Sequence, residues 1–269
     1  MTTVAETNPH AATGQQQRDA VLVANAHTVM EGAGVPVTRV LPSREATYRM
    51  VDPWLLLDEF KMDSFGGAEA FPPHPHRGFE IVTYMIEGTG HHTDSEGNEG
   101  VVGSGGLQRI TAGRGIWHGE GGGDTPERVH GLQLWINLPK ALKKIDPAYQ
   151  PVSAEQIPER TIGGARVRVL VGEGSPTQLQ TPAVYYDVRL PAGGNTTLPV
   201  PAGFQGFAFV LGGAGHFGAN KLAAREKQNV VLGPGGDFPV SAGPDGAWFV
   251  LAAAQPIREP VYFNGPYVD

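Results

Sequence analysis

Apolar residues recur along this chain in short runs broken by glycine-rich turns, with little 3.6-residue periodicity between them. Strand character is predicted at residues 35–39 and 54–58, and 63–67 (Asp-Ser-Phe-Gly-Gly) reads as a loop. Residues 79–87 form the clearest strand of the first half, with Ile81, Tyr84 and Ile86 apolar, and close at Gly88-Thr89-Gly90. A strand beginning at 91–93, a polar hairpin turn at 94–100, Val101-Val102, a glycine turn at 103–106 and a strand at 107–111 come next. A glycine corner at Gly113 and Gly115, a loop at 121–127 and a strong strand at 130–138 complete this half. Short strands at this spacing predict an all-β antiparallel sandwich or barrel.

From Pro139 to Arg160 the pattern changes. Lys140-Ala141-Leu142-Lys143-Lys144 is compatible with helix, and Pro147, Pro151 and Pro158 break any regular element beyond it, so 139–160 reads as a linker. Strand patterns resume at 165–171, 184–190, 204–211, 230–232 and 248–252. Phe207-Ala208-Phe209-Val210-Leu211-Gly212-Gly213 echoes Val82-Thr83-Tyr84-Met85-Ile86-Glu87-Gly88, which points to an internal duplication. The expected organisation is a disordered arm at 1–20, a first domain at 21–138, the linker at 139–160, a second domain at 161–255 and a tail at 256–269. Tyr262, Phe263 and Tyr267 are the tail's aromatic anchors.

Composition narrows the chemistry. The 269 residues are 40% hydrophobic and 17% charged, with 38 glycines, 23 prolines and no cysteine. Thiolate metal sites, disulfides and cysteine nucleophiles are therefore excluded, and a bound metal must rely on imidazole and carboxylate. A net charge of −7 without a basic block argues against direct nucleic-acid binding. No apolar run reaches the roughly 20 residues that span a bilayer, and the polar start does not resemble a signal peptide. A cytoplasmic protein is expected.

The chemically loaded stretch is Phe71-Pro72-Pro73-His74-Pro75-His76-Arg77-Gly78-Phe79-Glu80. On an extended strand His74 and His76 share a face, and by parity Glu80 shares it too. A second pair, His118 and Glu120, lies just past the glycine corner. Two such pairs on neighbouring antiparallel strands can meet at one divalent ion, supplying three imidazoles and one or two carboxylates. Four protein ligands leave two positions of an octahedral ion open, as catalysis requires. Glu80 stands as an alternative ligand or as a hydrogen-bond partner of a ligand histidine. His91 and His92 have opposite parities and are expected to face solvent. His130 and His216 are read as structural, His10 and His27 as incidental, Arg77 as a brace of the rim, and Asp124 and Glu127 as solvated loop. Gly113-Arg114-Gly115 precedes no helix and is not a nucleotide loop.

These residues carry a resemblance. Asp58-Glu59-Phe60, His74 through Glu80, Thr111-Ala112-Gly113-Arg114-Gly115-Ile116, His118-Gly119-Glu120 and His130-Gly131-Leu132-Gln133-Leu134-Trp135 together resemble the pirin family of the cupin superfamily. A looser match lies in Pro256-Ile257-Arg258-Glu259-Pro260 and Gly265-Pro266-Tyr267. The resemblance implies a bicupin of two antiparallel, jelly-roll-type β-sandwich barrels, with one divalent metal in the N-terminal barrel. That metal is expected to be Fe2+, with Ni, Co, Cu, Zn or Mn as alternatives. By motif match His74, His76, His118 and Glu120 are its ligands, and Glu80 is a fallback. Bacterial pirin-like proteins are linked to quercetin 2,3-dioxygenase activity, which implies a polyphenol substrate, O2 as co-substrate and Glu120 as candidate base. Other family members look like non-enzymatic regulators that bind a protein partner, with the metal's oxidation state as the signal.

Overall fold

The structure, a computed structural model, describes residues 16–65, 71–123 and 125–269. Most of the expected arm, including His10, and also Gly66, Gly67 and Asp124, lie outside the described residues. Twelve strands come from the first part of the chain: β1 (Ala20–Asn25), β2 (His27–Glu31), β3 (Val35–Leu41), β4 (Trp54–Phe65), β5 (Phe71–His76), β6 (Phe79–Glu87), β7 (Gly90–Asp94), β8 (Glu99–Val102), β9 (Leu107–Thr111), β10 (Ile116–Gly121), β11 (Glu127–Asn137) and β12 (Ala148–Val152). Ten more come from the remainder: β13 (Glu159–Ile162), β14 (Ala165–Val171), β15 (Ala183–Leu190), β16 (Asn195–Leu198), β17 (Gln205–Phe217), β18 (Leu222–Arg225), β19 (Gln228–Leu232), β20 (Phe238–Ala254), β21 (Phe263–Asn264) and β22 (Tyr267–Val268). Among the described residues helix is confined to one turn at Tyr48–Val51 and two 3-10 turns, so the all-β expectation holds.

In the first half a seven-stranded sheet, β12-β9-β6-β11-β4-β3-β2, faces a four-stranded sheet, β5-β10-β7-β8. The second half is one hydrogen-bonded sheet folded over on itself. Its long strands β17 and β20 pair through two shifts in register, at Val210/Gly212 and Gly213/Gly215, and β20 pairs with β16 near its start and β15 near its end. All described strand pairs are antiparallel, giving two sandwich-like cupin units.

Strand β6 explains how the halves join. Its residues from Phe79 to Met85 are all buried, which is what a strand covered on both faces requires. Phe79 and Ile81 enter the interior of the first sandwich with Ile110 and Ile116, while Val82 and Tyr84 face the second half, among Tyr185, Phe207, Phe209 and Val250. Trp54 meets Phe207 edge to face at 6.1 Å, and the Tyr84 hydroxyl donates to Asp187 at 2.8 Å. Burying one such side chain is worth roughly 1.5–3 kcal/mol, so the seam binds the two units into a single body.

Several expected boundaries move. Residues 16–20 are not a free arm: Arg18 is fully buried, and its guanidinium donates to the carbonyls of Gly236, Phe204, Gly233 and Pro201 at 2.5–2.8 Å. Strand β1 then pairs with β19 of the second sheet, although the local pattern assigns residues 21–25 to the first domain. Its partner is chosen by long-range register, which a local pattern does not reveal. Similarly, the expected linker contains β12, the edge of the first sheet, paired with β9, and its last two residues begin β13, the edge of the second. Asp63, Ser64 and Phe65 continue strand β4 instead of forming a loop.

Candidate metal centre

Strands β5 and β10 pair so that His118 lies opposite His74 and Ile116 opposite His76. The three imidazoles converge on the inner face of the four-stranded sheet, with ring centroids 4.4 Å (His74 to His118), 4.7 Å (His74 to His76) and 5.0 Å (His76 to His118) apart. One ligand atom from each lies within 4.8 Å of the others. Donors on one ion with bonds of about 2.0–2.2 Å lie no more than about 4.4 Å apart, so modest ring rotations would bring all three nitrogens onto a shared ion.

The nitrogens available fit such an ion. His74 Nδ1 is engaged by the Pro72 carbonyl at 2.8 Å and His76 Nδ1 by the Pro266 carbonyl at 3.3 Å. An Nδ1–H bonded to a carbonyl leaves Nε2 as the lone-pair nitrogen. Among the described residues, His76 Nε2 and both ring nitrogens of His118 are buried without a hydrogen-bond partner. Buried polar atoms left in this state are costly unless something else satisfies them, and a cation does so. Burial, aided by the neighbouring His74, lowers the His76 pKa to about 3, and burial drives His118 well below the ordinary histidine range. Both are therefore held neutral, the form that coordinates metal.

Glu120 sits two residues beyond His118, at the bulge where β10 leaves its register with β5. Three donors from the facing seven-stranded sheet enclose its carboxylate. Gln108 Nε2 donates to Oε1 at 2.5 Å, Thr83 Oγ1 to Oε1 at 3.3 Å, and Gln133 Nε2 to Oε2 at 3.0 Å. Thr83 is directly cross-strand from both Gln108 and Gln133, so the donors form a single row. Tyr149 Oη donates to Gln108 Oε1 at 3.2 Å, and this fixes which end of that amide faces Glu120. Burial pushes the Glu120 carboxyl above the ordinary glutamate range, against the opposing pull of His92, His74, Thr83 and Gln133.

Beside Glu120 lies a cavity lined by Phe60, Phe65, Phe71, Met85 and Val102, with His91 at one side. Its volume is about 30 Å3. The space is a narrow slot.

Sequence models fix the identity of this fold. The family model Pirin matches residues 34–136, and the model described as Pirin C-terminal cupin domain matches residues 185–269. The chain belongs to the pirin family. A pirin-like protein of Arabidopsis thaliana is 42% identical over 257 residues, covering 90% of this chain and 81% of the relative. A pirin-like protein of Caulobacter vibrioides is 40% identical over 263 residues, covering 93% and 92%. Among solved structures, quercetin 2,3-dioxygenase from Acinetobacter baumannii is similar at 29% identity, with a TM-score of 0.85 over 94% of this chain and 92% of that one.

Two site readings change in this pirin fold. Glu80 does not join the histidines: Thr111 Oγ1 donates to its Oε1 and the Gln180 backbone N–H to its Oε2, each at 2.7 Å, on the seam between the two halves. Parity fails because Gly78, at φ +88°, breaks the strand between His76 and Glu80 and sends β5 and β6 into different sheets. His92 does not face solvent. It is buried opposite Glu120 on β7, Nε2 contacts Asp94 at 3.1 Å, and its ring stacks on Tyr149 with centroids 4.2 Å apart. Together with His118 and Glu120 it forms a second group whose ligand atoms lie within 4.8 Å of one another.

The other residues divide as their surroundings dictate. His130 is buried against Glu59 at 2.8 Å, and Arg77 reaches Asp269 at 2.9 Å on the rim. His216 and His27 lie outside the cluster. Sequence pattern does not single out Thr83, Gln108, Gln133 or Tyr149. The usable signal for the first three is a polar residue flanked at i±2 by an apolar residue on its strand: Ile81 and Met85 beside Thr83, Ile110 beside Gln108, Trp135 beside Gln133.

Proposed function

We propose that this pirin-family protein is a metal-dependent dioxygenase that opens the central ring of a flavonol such as quercetin with O2 and releases carbon monoxide. The observation carrying this reading is the convergence of the His74, His76 and His118 imidazoles, with Glu120 beside His118 on the wall of an aromatic-lined slot. Those four residues are the proposed ligands of one divalent ion, with Fe2+ as the first candidate. When bound, such an ion would supply Lewis-acid stabilisation of the ionised substrate hydroxyl and a redox centre for the reaction with O2.

The protein residues have separate tasks. Glu120 accepts the proton of the flavonol 3-hydroxyl, as a carboxylate that can leave the ion and stay within hydrogen-bond reach can do. Gln108, Gln133 and Thr83 fix the carboxylate's orientation, so little reorganisation accompanies the transfer. Phe60, Phe65 and Phe71 offer flat apolar walls to an aromatic ring and keep water from the reacting atoms. Iron-loaded protein is expected to consume O2 and bleach the visible absorbance of quercetin. His118→Ala is expected to do neither, and identical behaviour of the two proteins would overturn the reading.

A second reading rests on the width of the slot. Ligand pockets typically enclose about 300–1,000 Å3, whereas the volume here is about 30 Å3. That favours a metal-containing interaction protein whose surface follows the ion's oxidation state. Pull-downs with the ferrous and ferric forms would decide: a partner retained by one form alone, without quercetin turnover, supports this alternative.

A further inference from the structure

The last residues of the chain run from the second half onto the metal face of the first. The short hairpin of β21 and β22 lies against β5, where Val268 N–H donates to the Arg77 carbonyl at 2.9 Å and Arg77 bridges to Tyr267. Val268 is fully buried with Phe79, Ile81 and Ile116. Lys143 Nζ clamps the contact from below, donating to the carbonyls of Gly78 and Val268 at 2.9 Å each and to Asn137 Oδ1 at 2.8 Å. At Gly78 a Cβ would stand 1.9 Å from the Val268 carbonyl oxygen, so only glycine permits this approach. From above, the Arg77 guanidinium bonds Asp269 at 2.9 Å and sits 4.8 Å over the Tyr267 ring.

At the turn of this hairpin the Pro266 carbonyl faces His76 Nδ1 at 3.3 Å. Among the described residues it is the one hydrogen-bond partner found for that ring, whose Nε2 has none. A proline carbonyl can only accept, so the contact requires Nδ1 to carry the hydrogen and turns the Nε2 lone pair toward His74 and His118.

We infer that the C-terminal hairpin is a working part of the metal centre, a positioning element that fixes the tautomer and orientation of His76 through the Pro266 carbonyl. This rests on the proposed ligand role of His76. The second half, which brings no ligand of its own, thereby contributes to the site of the first.

The test uses Lys143→Met in the full-length chain, which removes the clamp without touching a proposed ligand. Zn2+ affinity is measured by competition with a chromophoric chelator, and ring-nitrogen shifts by NMR on 15N-histidine-labelled protein. Loss of a partner that orients a metal ligand typically costs about 10–100-fold in affinity. A loss of that size is expected, together with displaced His76 ring signals. Phe217→Leu, in the core of the second half, serves as a control for general destabilisation and should leave affinity unchanged. Affinity in Lys143→Met no lower than in Phe217→Leu overturns the inference. So does metal-free wild type carrying His76 as the Nε2–H tautomer, a measurement that stands even where the variant fails to fold. Unchanged Zn2+ binding by His74→Ala would instead overturn the ligand assignment itself.

Discussion

The two halves of this protein share a frame and fill it differently. In the second half the interior is filled mainly by apolar side chains: Phe217 meets Phe249 edge to face at 5.3 Å, and Val210, Leu198 and Phe238 pack around them. In the first half the corresponding space between the sheets holds His76, His92, His118, Thr83, Gln108 and the carboxylate of Glu120. An apolar interior stabilises a fold directly, whereas buried polar groups cost free energy until each is partnered. The duplication thus separates two tasks. One unit supplies stability, and the other, braced along the shared seam, tolerates a polar centre.

The sharpest way to break this comparison is to remove the filling of the second half. Phe249→Ala should cost about 3–5 kcal/mol in urea denaturation, with or without metal. A cost that depends on metal would show that the units are not divided in this way. Next in size is removal of the ion. Saturating metal at about 100–1,000 times its dissociation constant should stabilise wild type by about 3–4 kcal/mol, and a chelator should reverse this. His118→Ala should respond to neither treatment, as measured by thermal unfolding.

Smaller effects sharpen the picture. Gln108→Ala leaves one oxygen of the enclosed Glu120 carboxylate short of a donor and should destabilise the metal-free protein by about 1–3 kcal/mol. Metal should recover part of that loss if Glu120 is a ligand, and calorimetry in both states measures the difference. Tyr84→Phe removes the hydroxyl bonded to Asp187 and Arg168 across the seam. It should cost about 1 kcal/mol without altering metal affinity; an altered affinity would mean that the seam itself transmits to the site.

Much of this is legible in the chain. The strands at 79–87, 107–111 and 130–138 and the glycine turns between them stand close to where local pattern puts them, because alternation and turn chemistry are properties of neighbouring residues. The pairing of His74 and His76 is legible for the same reason: two residues separated by one on a strand share a face. The same count misplaces Glu80 because it runs through Gly78, where the strand ends. Nothing local could bring His92 to Glu120, since that contact depends on the register of β7 against β10. Tyr149 is hidden further, in a segment that reads as a linker but forms an edge strand.

The sequence by itself determined the class of fold, the absence of thiolate chemistry and the two motifs that carry the proposed ligands. Each depends on composition or on residues within a few positions of one another. Only the tertiary structure decided that Glu80 turns to the seam between the halves, and that Thr83, Gln108 and Gln133 hold the Glu120 carboxylate. It alone also buried His92 opposite Glu120 and set the Pro266 carbonyl, 190 positions from His76, against that imidazole. Such contacts are fixed by strand register and by the packing of one sheet on another, which depend on the whole chain at once.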